Sequence, residues 1–594
     1  MTLLSISSLP GRTRGFEASP RLILSGVTLA IGLIALATQL SFGMLGDVSW
    51  LITIDEKWLS GQVPYVDFVE INPPASLLLY WPAVSAAHAL GLRAELVVSA
   101  FGFASIAASL ALSALILKRA GLAVGPSPYA FVLIALAVLP GEAFCERDHL
   151  AAAYALPFLA LCIARAERAS INFGLAALAG VGAGLMAAVK PPYALVAIAV
   201  APYLWRRIGL RGLIGSTEYY FAAAVGLVYV AIVGWGFPAY VDDVMRMGVD
   251  IYVPVRDSLS GLLVESGGLL FLLVGLLAVV VAGKNIEKSW IAVPALAGLG
   301  AFGAYMIQGK GWLYQALPAL MFLTIAAGFA LEARSRRAIV LDAVTMAIAA
   351  IGVLTIPNLA PPIVLAAAAA TWQHRRLALR LDALAERVRR EAPLSGRSPA
   401  VETSAVGDRA HSNGPSWLAM FTRYGLVAAI GSACGLCVSE RPMAPTLEAA
   451  LSRLGPHPTL AGITEVMGFG HPMARRIGAV WVQRVPSLFI TSAVRRLVDE
   501  HPGDATLARR LRPYADRDRK MLIEDIERQR PDALLVGPLN TRMHAALWAD
   551  PEITAARADY RLFATNDRPD FPAELWVRKD LIGAELGAGP ADRP

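Results

Sequence analysis

The chain has 594 residues, 56% of them hydrophobic and 17% charged, with a formal net charge of +7. Its mean hydropathy of +0.54 is too high for a soluble protein of this length and implies many membrane spans. The excess Lys and Arg is spread over short connections between apolar runs, as membrane orientation demands, so it does not argue for a nucleic-acid partner; four cysteines exclude a disulfide scaffold.

Arg12, Arg14 and Arg21 precede a first span at Leu22–Phe42, read as an uncleaved anchor. A connection of different character follows, Gly46–Pro82. It holds five carboxylates (Asp47, Asp55, Glu56, Asp67, Glu70), one cation (Lys57), and Trp50, Trp58, Tyr65 and Phe68 among prolines. This reads as a folded acidic loop against a membrane surface, because aromatic rings favour the headgroup level. Counting Ala75–Leu90 as a span would reverse the charge logic of every later connection, so it is read as a helix lying on the outer surface. Spans are then expected at Ala94–Leu117, Tyr129–Leu139, Leu150–Ile163, Phe173–Val189, Tyr193–Trp205, Tyr220–Trp235, Leu262–Ala282, Ile291–Met306, Ala316–Leu331, Val340–Ile356 and Ile363–Trp372. Under this count the cationic turns, from Lys118-Arg119 to Arg336-Arg337, fall on one side.

Residues 373–416 read as a basic, then Gly/Ser-rich linker on that same side. Residues 417–437 form a last span, about the thirteenth, which delivers residues 438–594 to the other side. There, β-rich runs at Gly478–Val482, Ser487–Thr491, Ala533–Val536, Tyr560–Ala564 and Glu574–Val577 alternate with helical runs such as Asp516–Arg530, predicting a small α/β domain. Thr446 is expected to cap a helix bearing Leu447, Leu451 and Leu454. Cys434 and Cys437 form a CxxC at the end of an apolar helix, which reads as two thiols on a helix face.

Within the acidic connection, Asp55-Glu56, then Gly61-x-x-Pro64-Tyr65-x-Asp67-Phe68, then Asn72-Pro73-Pro74 resembles the first periplasmic loop of GT-C glycosyltransferases. The similar branch contains the protein mannosyltransferases and lipid A aminoarabinose transferases, which take sugars from polyprenyl phosphates. The resemblance implies a mainly α fold: a polytopic GT-C membrane helix bundle over residues 1–372, its first periplasmic loop at 43–92, and a smaller C-terminal periplasmic α/β domain. It further implies a bacterial inner-membrane protein with its N-terminus cytoplasmic, a polyprenyl-phosphate sugar donor, and a periplasmic glycan, lipid or protein acceptor among membrane lipids.

Such a transfer needs a base for the acceptor hydroxyl, cations for the departing phosphate and an apolar groove for the lipid. The resemblance points to Asp55 as the general base of a single inverting displacement, with Glu56 second; in an irregular segment adjacent side chains diverge, so both do not face one substrate. Asp67 and Glu70 orient the acceptor or cap the surface helix, and the structural role is preferred. In Cys145-Glu146-Arg147-Asp148-His149, Asp148 matches a second acidic family position, and Arg147 binds substrate or pairs with a neighbouring acid. Relatives often carry Lys where this chain has Asn72, so the phosphate contact passes to Lys190 or Lys310. Lys310 lies between glycines that let the backbone approach a ligand. Arg246 and Arg256 occupy a connection that relatives use as a donor-responsive loop. No cofactor is certain; a divalent metal held by His149 and the carboxylates is an alternative. No Gly-rich phosphate loop, nucleotide-sugar signature or HExxH is present, which fits a lipid-linked donor. A transporter or flippase would carry its ionisable groups mid-membrane, and a polysaccharide polymerase or ligase would carry its largest loop late; here the acids lie outside the spans and the large loop follows the first.

Overall fold

The computed structural model describes residues 20–42, 44–265, 268–332, 336–355, 416–439, 444–539, 541–568 and 572–582, with isolated positions between 363 and 387. The span expected at Ile363–Trp372 and the linker before Ser416 lie almost wholly outside the described residues, as do Arg12 and Arg14.

The apolar runs are helical, as they must be where no water meets the backbone. The bundle comprises α1 (Pro20–Phe42), α2 (Gly46–Leu59), α3 (Ala75–Leu90), α4 (Ala94–Arg119), α5 (Pro126–Leu133), α6 (Arg147–Ala166), α7 (Phe173–Val189), α8 (Ala194–Ile214) and α9 (Thr217–Gly236). It continues through α10 (Met245–Met247), α11 (Gly268–Ala282), α12 (Ser289–Gln308), α13 (Leu313–Ala330), α14 (Arg336–Thr355) and α15 (Ser416–Ser439). Among the described residues five helices, α4, α6, α9, α12 and α13, are long and apolar enough to cross a membrane. The chain is a multi-pass membrane protein. Helix α6 is its axis, buried along almost its whole length, whereas α9 lies at the rim with only Glu218 buried.

Two segments depart from expectation in the bundle. Gly46–Leu59, expected as irregular loop, is an α-helix. Helical winding changes which acids share a face, because side chains three, four or seven apart, not neighbours, stack along one stripe. The 236–260 connection is wound as well, with π turns at Tyr240–Val244 and Gly248–Tyr252 around α10.

The C-terminal domain comprises α16 (Pro445–Ser452), β1 (Thr459–Thr464), α17 (Met467–Ile477), β2 (Val480–Trp481), α18 (Phe489–Glu500), α19 (Ala505–Gln529), β3 (Ala533–Gly537), α20 (Arg542–Trp548), α21 (Pro551–Ala556), β4 (Tyr560–Asn566) and β5 (Ala573–Arg578). Its sheet has the order β2-β1-β3-β5-β4; β2, β1 and β3 are parallel, and β5 pairs antiparallel with both β3 and β4. The interior strand β1, between β2 and β3, was not expected. Its sequence, TLAGIT, has neither alternation nor bulk because all but its first residue are buried. Ser487–Thr491, expected as strand, instead leads into α18, where Ile490, Ala493, Val494 and Leu497 bury one helical stripe. Pro445 rather than Thr446 opens α16, with Pro in the first turn where its missing N–H costs nothing.

Candidate active site

The Pro140–Glu146 connection delivers three charged residues to the heart of the bundle. Cys145 sits at φ 65, a left-handed backbone that a non-glycine residue adopts only under constraint, and the chain then enters α6. Arg147 and Asp148 stand about 100° apart on the first helical turn, so they reach opposite neighbours. Arg147 donates to Asp47 on α2 (3.2 Å), to the Ser76 hydroxyl on α3 (2.9 Å) and to Glu146 (3.4 Å). Asp148 accepts from Lys190 (2.5 Å) and from the Tyr193 hydroxyl. Lys190 is extended, φ −146 and ψ 107, as a residue before proline must be, and this turns its side chain back to α6. Tyr314, at the start of α13, joins the two halves: its hydroxyl donates to Asp47 (2.9 Å) and its ring lies 5.2 Å beneath the Lys190 ammonium.

Glu70 completes the cluster. It accepts from the Trp50 indole (2.5 Å) and from both the backbone N–H and the side-chain amide of Asn72. Burial raises its carboxyl above the usual range, with Arg147 opposing. Burial likewise pushes Glu146 up to about 8, with the Asp47 charge adding, and its Oε2 has no partner. Four carboxylates (Asp47, Glu70, Glu146, Asp148) thus surround two cations. Asp47 and Lys190 keep 13% and 12% of their side chains exposed while Asp148 and Glu146 keep none, so Asp47 and Lys190 are the groups a ligand meets first.

Of the residues singled out in the sequence, the structure brings together Asp148, Lys190 and Arg147. Asn72 and Tyr65 stand behind them: the Tyr65 hydroxyl donates to the Asn72 carbonyl (3.0 Å), so Asn72 holds Glu70 in place. Lys310 spends two N–H groups on the Tyr252 and Val255 carbonyls, anchoring the wound connection, and burial pushes it down to about 8 with Arg256 adding. The glycine beside it makes room for a side chain: a Cβ on Gly309 would lie 2.6 Å from Arg256 Nε, and Arg256 donates to the Met306 carbonyl (2.8 Å). Arg246 is a surface residue opposite Asp250 (3.9 Å), and Asp67 closes its own turn on the Val63 N–H (2.7 Å).

Asp55 and Glu56 are not in the cluster. Eight residues after Asp47 on one helix, Asp55 is about 12 Å further along the axis. Both its oxygens are buried without a partner, and burial holds its carboxyl well above the usual range, with the Glu56 charge adding. Glu56 points away, to Arg475 of the C-terminal domain (2.8 Å to each oxygen). The site residues that the sequence reading passed over are Asp47, Glu146, Tyr193 and Tyr314; had Gly46–Leu59 been taken as helix, the first-turn acid would have stood out as the one on the Trp50 face. His149 has both ring nitrogens committed to the backbone, accepting from the Cys145 N–H (3.0 Å) and donating to the Leu136 carbonyl (2.8 Å). Among the described residues no group of three His, Cys, Asp or Glu side chains is arranged to hold a metal.

No protein-family model matches the chain, and no curated protein matches its sequence. Among solved structures it is similar to ArnT from Cupriavidus metallidurans in a crystal structure bound to undecaprenyl phosphate, with a TM-score of 0.50, 14% identity, and coverage of 96% of this chain and 100% of that one. The apo state of the same protein matches with a TM-score of 0.47, 14% identity, and coverage of 95% and 99%. The likeness to the lipid-bound structure shows a shared fold, a polytopic helix bundle carrying a C-terminal mixed α/β domain, across nearly the whole of both chains.

Proposed function

We propose that this protein is a GT-C glycosyltransferase that moves a sugar from a polyprenyl-phosphate donor to an acceptor hydroxyl on the outer side of a bacterial inner membrane. The observation that carries the reading is the buried cluster in which Asp47 is held by Arg147 and Tyr314 while Lys190 stands over the Tyr314 ring. A carboxylate suited to act as base and a cation thus meet at one tyrosine, each partly exposed. The ArnT fold, in a protein crystallised with undecaprenyl phosphate, supports a lipid-phosphate donor.

In this scheme Asp47, rather than Asp55, takes the acceptor proton. The acceptor oxygen bonds to the anomeric carbon as the bond from that carbon to the phosphate oxygen breaks. The electron pair leaves with the lipid phosphate, which Lys190 and Arg147 hold through charge-assisted hydrogen bonds. Asp148 and Tyr193 aim Lys190, and Glu70 and Asn72 brace Trp50 behind Asp47. An apolar cleft of about 430 Å3 lined by Trp58, Val63, Pro64, Val66, Phe237 and Pro238 opens beside Tyr65, a suitable path for the lipid tail. The acceptor class is a periplasmic glycan, lipid or protein.

Two substitutions divide the candidates for the base. Asp47→Asn should lower transfer by about 10²–10⁴-fold at normal membrane levels, and Asp55→Asn should leave most of it, as read by mass spectrometry of envelope glycolipids and glycans in complemented cells. Loss confined to Asp55→Asn would return the role to Asp55; envelope glycans unchanged by deletion of the gene would remove the transferase reading.

A further inference from the structure

Helix α2, which carries Asp47, is held by the C-terminal domain along its whole length. At its first residue, a Cβ on Gly46 would come 3.1 Å from the Gly468 Cα of α17. One turn on, the His471 ring lies 5.0 Å from the Trp50 indole, and Trp481 backs His471 at 4.4 Å. Trp50 is the group that donates to Glu70. At the far end Arg475 grips Glu56, Glu95 (2.5 Å) and Thr53 (3.2 Å). Lys57 donates to the Gln483 carbonyl (2.7 Å), and the Val69 N–H donates to the Arg484 carbonyl (2.8 Å).

A helix of 14 residues is marginal by itself in water, so its place is set by what packs on it. On one side that is the bundle; on the other it is α17. His471 is fully buried, donates from Nε2 to the Pro486 carbonyl (3.2 Å) and leaves Nδ1 without a partner. Its ring serves as a rigid wedge behind Trp50.

We propose that the C-terminal domain is a positioning part of the site: α17, through Gly468, His471 and Arg475, sets the helix that presents Asp47 and the Trp50–Glu70 hydrogen bond. The functional half of this inference rests on Asp47 acting as the base; the positional half does not.

The full-length protein in nanodiscs tests both halves with His471→Ala, Arg475→Ala and the conservative Arg475→Lys. Hydrogen exchange over residues 46–59 should speed up about tenfold or more in the two alanine variants, and Arg475→Lys should restore most of the protection. Affinity for undecaprenyl phosphate, held through Lys190, should stay within about twofold while transfer falls on the order of tenfold or more, since a small misplacement of a reacting group is costly. Unchanged exchange in both alanine variants overturns the proposal. So does a loss of undecaprenyl phosphate affinity that accounts for the whole loss of transfer. Wild-type protein that fails to bind undecaprenyl phosphate would refute the proposed donor, and the exchange measurement would still decide the positioning. Should His471→Ala not accumulate, the Arg475 pair carries the test.

Discussion

At the scale of single residues, the site contrasts two acids on one helix, one partly exposed and one buried. Asp47 is paired and bonded; Asp55 is shut away with neither oxygen satisfied. An unsatisfied buried carboxyl is costly to ionise, which makes Asp55 a poor base and a tolerable asparagine. Glu146 supplies a pH signature. Its folded value of about 8 stands above its ordinary 4.5, so between those values the folded protein keeps a proton that the unfolded chain has released. The contribution of Glu146 to stability is therefore fully present below about pH 4.5 and is lost as pH rises through 8. Melting temperatures of wild type and Glu146→Gln at pH 5, 6.5, 8 and 9 should show the wild-type advantage shrinking as pH rises; an advantage that grows with pH would contradict the buried, proton-holding Glu146.

At the scale of elements, one helix contact shows how the frame closes. Helices α7 and α9 approach through Gly180 and Gly184, where an added Cβ would meet the Glu218 carbonyl at 2.3 Å and the Val225 Cβ at 2.6 Å. Small residues four apart are what lets apolar helices close in a membrane, where no hydrophobic drive pushes them together. The same contact seats Glu218, which is buried against Arg165 (3.2 Å). Gly180→Leu should force the pair apart and cost about 1–3 kcal/mol or more, seen as a lower melting temperature in detergent, whereas Gly226→Leu, which faces open space on α9, should not. The apolar helices were legible in the sequence because each is a long unbroken run. Helix α2 was not, because its acids and indoles mask its period and its order depends on the domain that packs on it.

At the scale of the whole molecule, a bundle and a domain share one site at their junction. If Lys190 holds the donor phosphate, undecaprenyl phosphate at a hundredfold excess over its dissociation constant should add about 2.7 kcal/mol to stability. Lys190→Ala should abolish that increment. The variant will also melt lower without ligand, because Asp148 is left buried and unpaired, so the increment is the quantity to read. Orientation has its own measurement: a cysteine in place of Val66, 60% exposed in the turn after α2, should react with an impermeant maleimide in intact cells, and one in place of Lys118 should not. The reverse pattern would put the acidic site on the cytoplasmic side and remove the proposed acceptor.

Composition and the order of apolar runs determined that this chain is a polytopic helical membrane protein with an α/β domain after its apolar helices, because hydropathy and strand-and-helix alternation are local properties written residue by residue. The motif acids showed where chemistry was to be sought, in the segment after the first helix and at the start of α6. Only the tertiary structure decided that Asp47 and not Asp55 meets Arg147, that Lys190 turns back onto Asp148, and that a strand as plain as TLAGIT lies inside a sheet, between β2 and β3. Those outcomes depend on which faces of distant elements come together, and residues 42 to 100 positions apart acquire these partners only when the chain has closed around them.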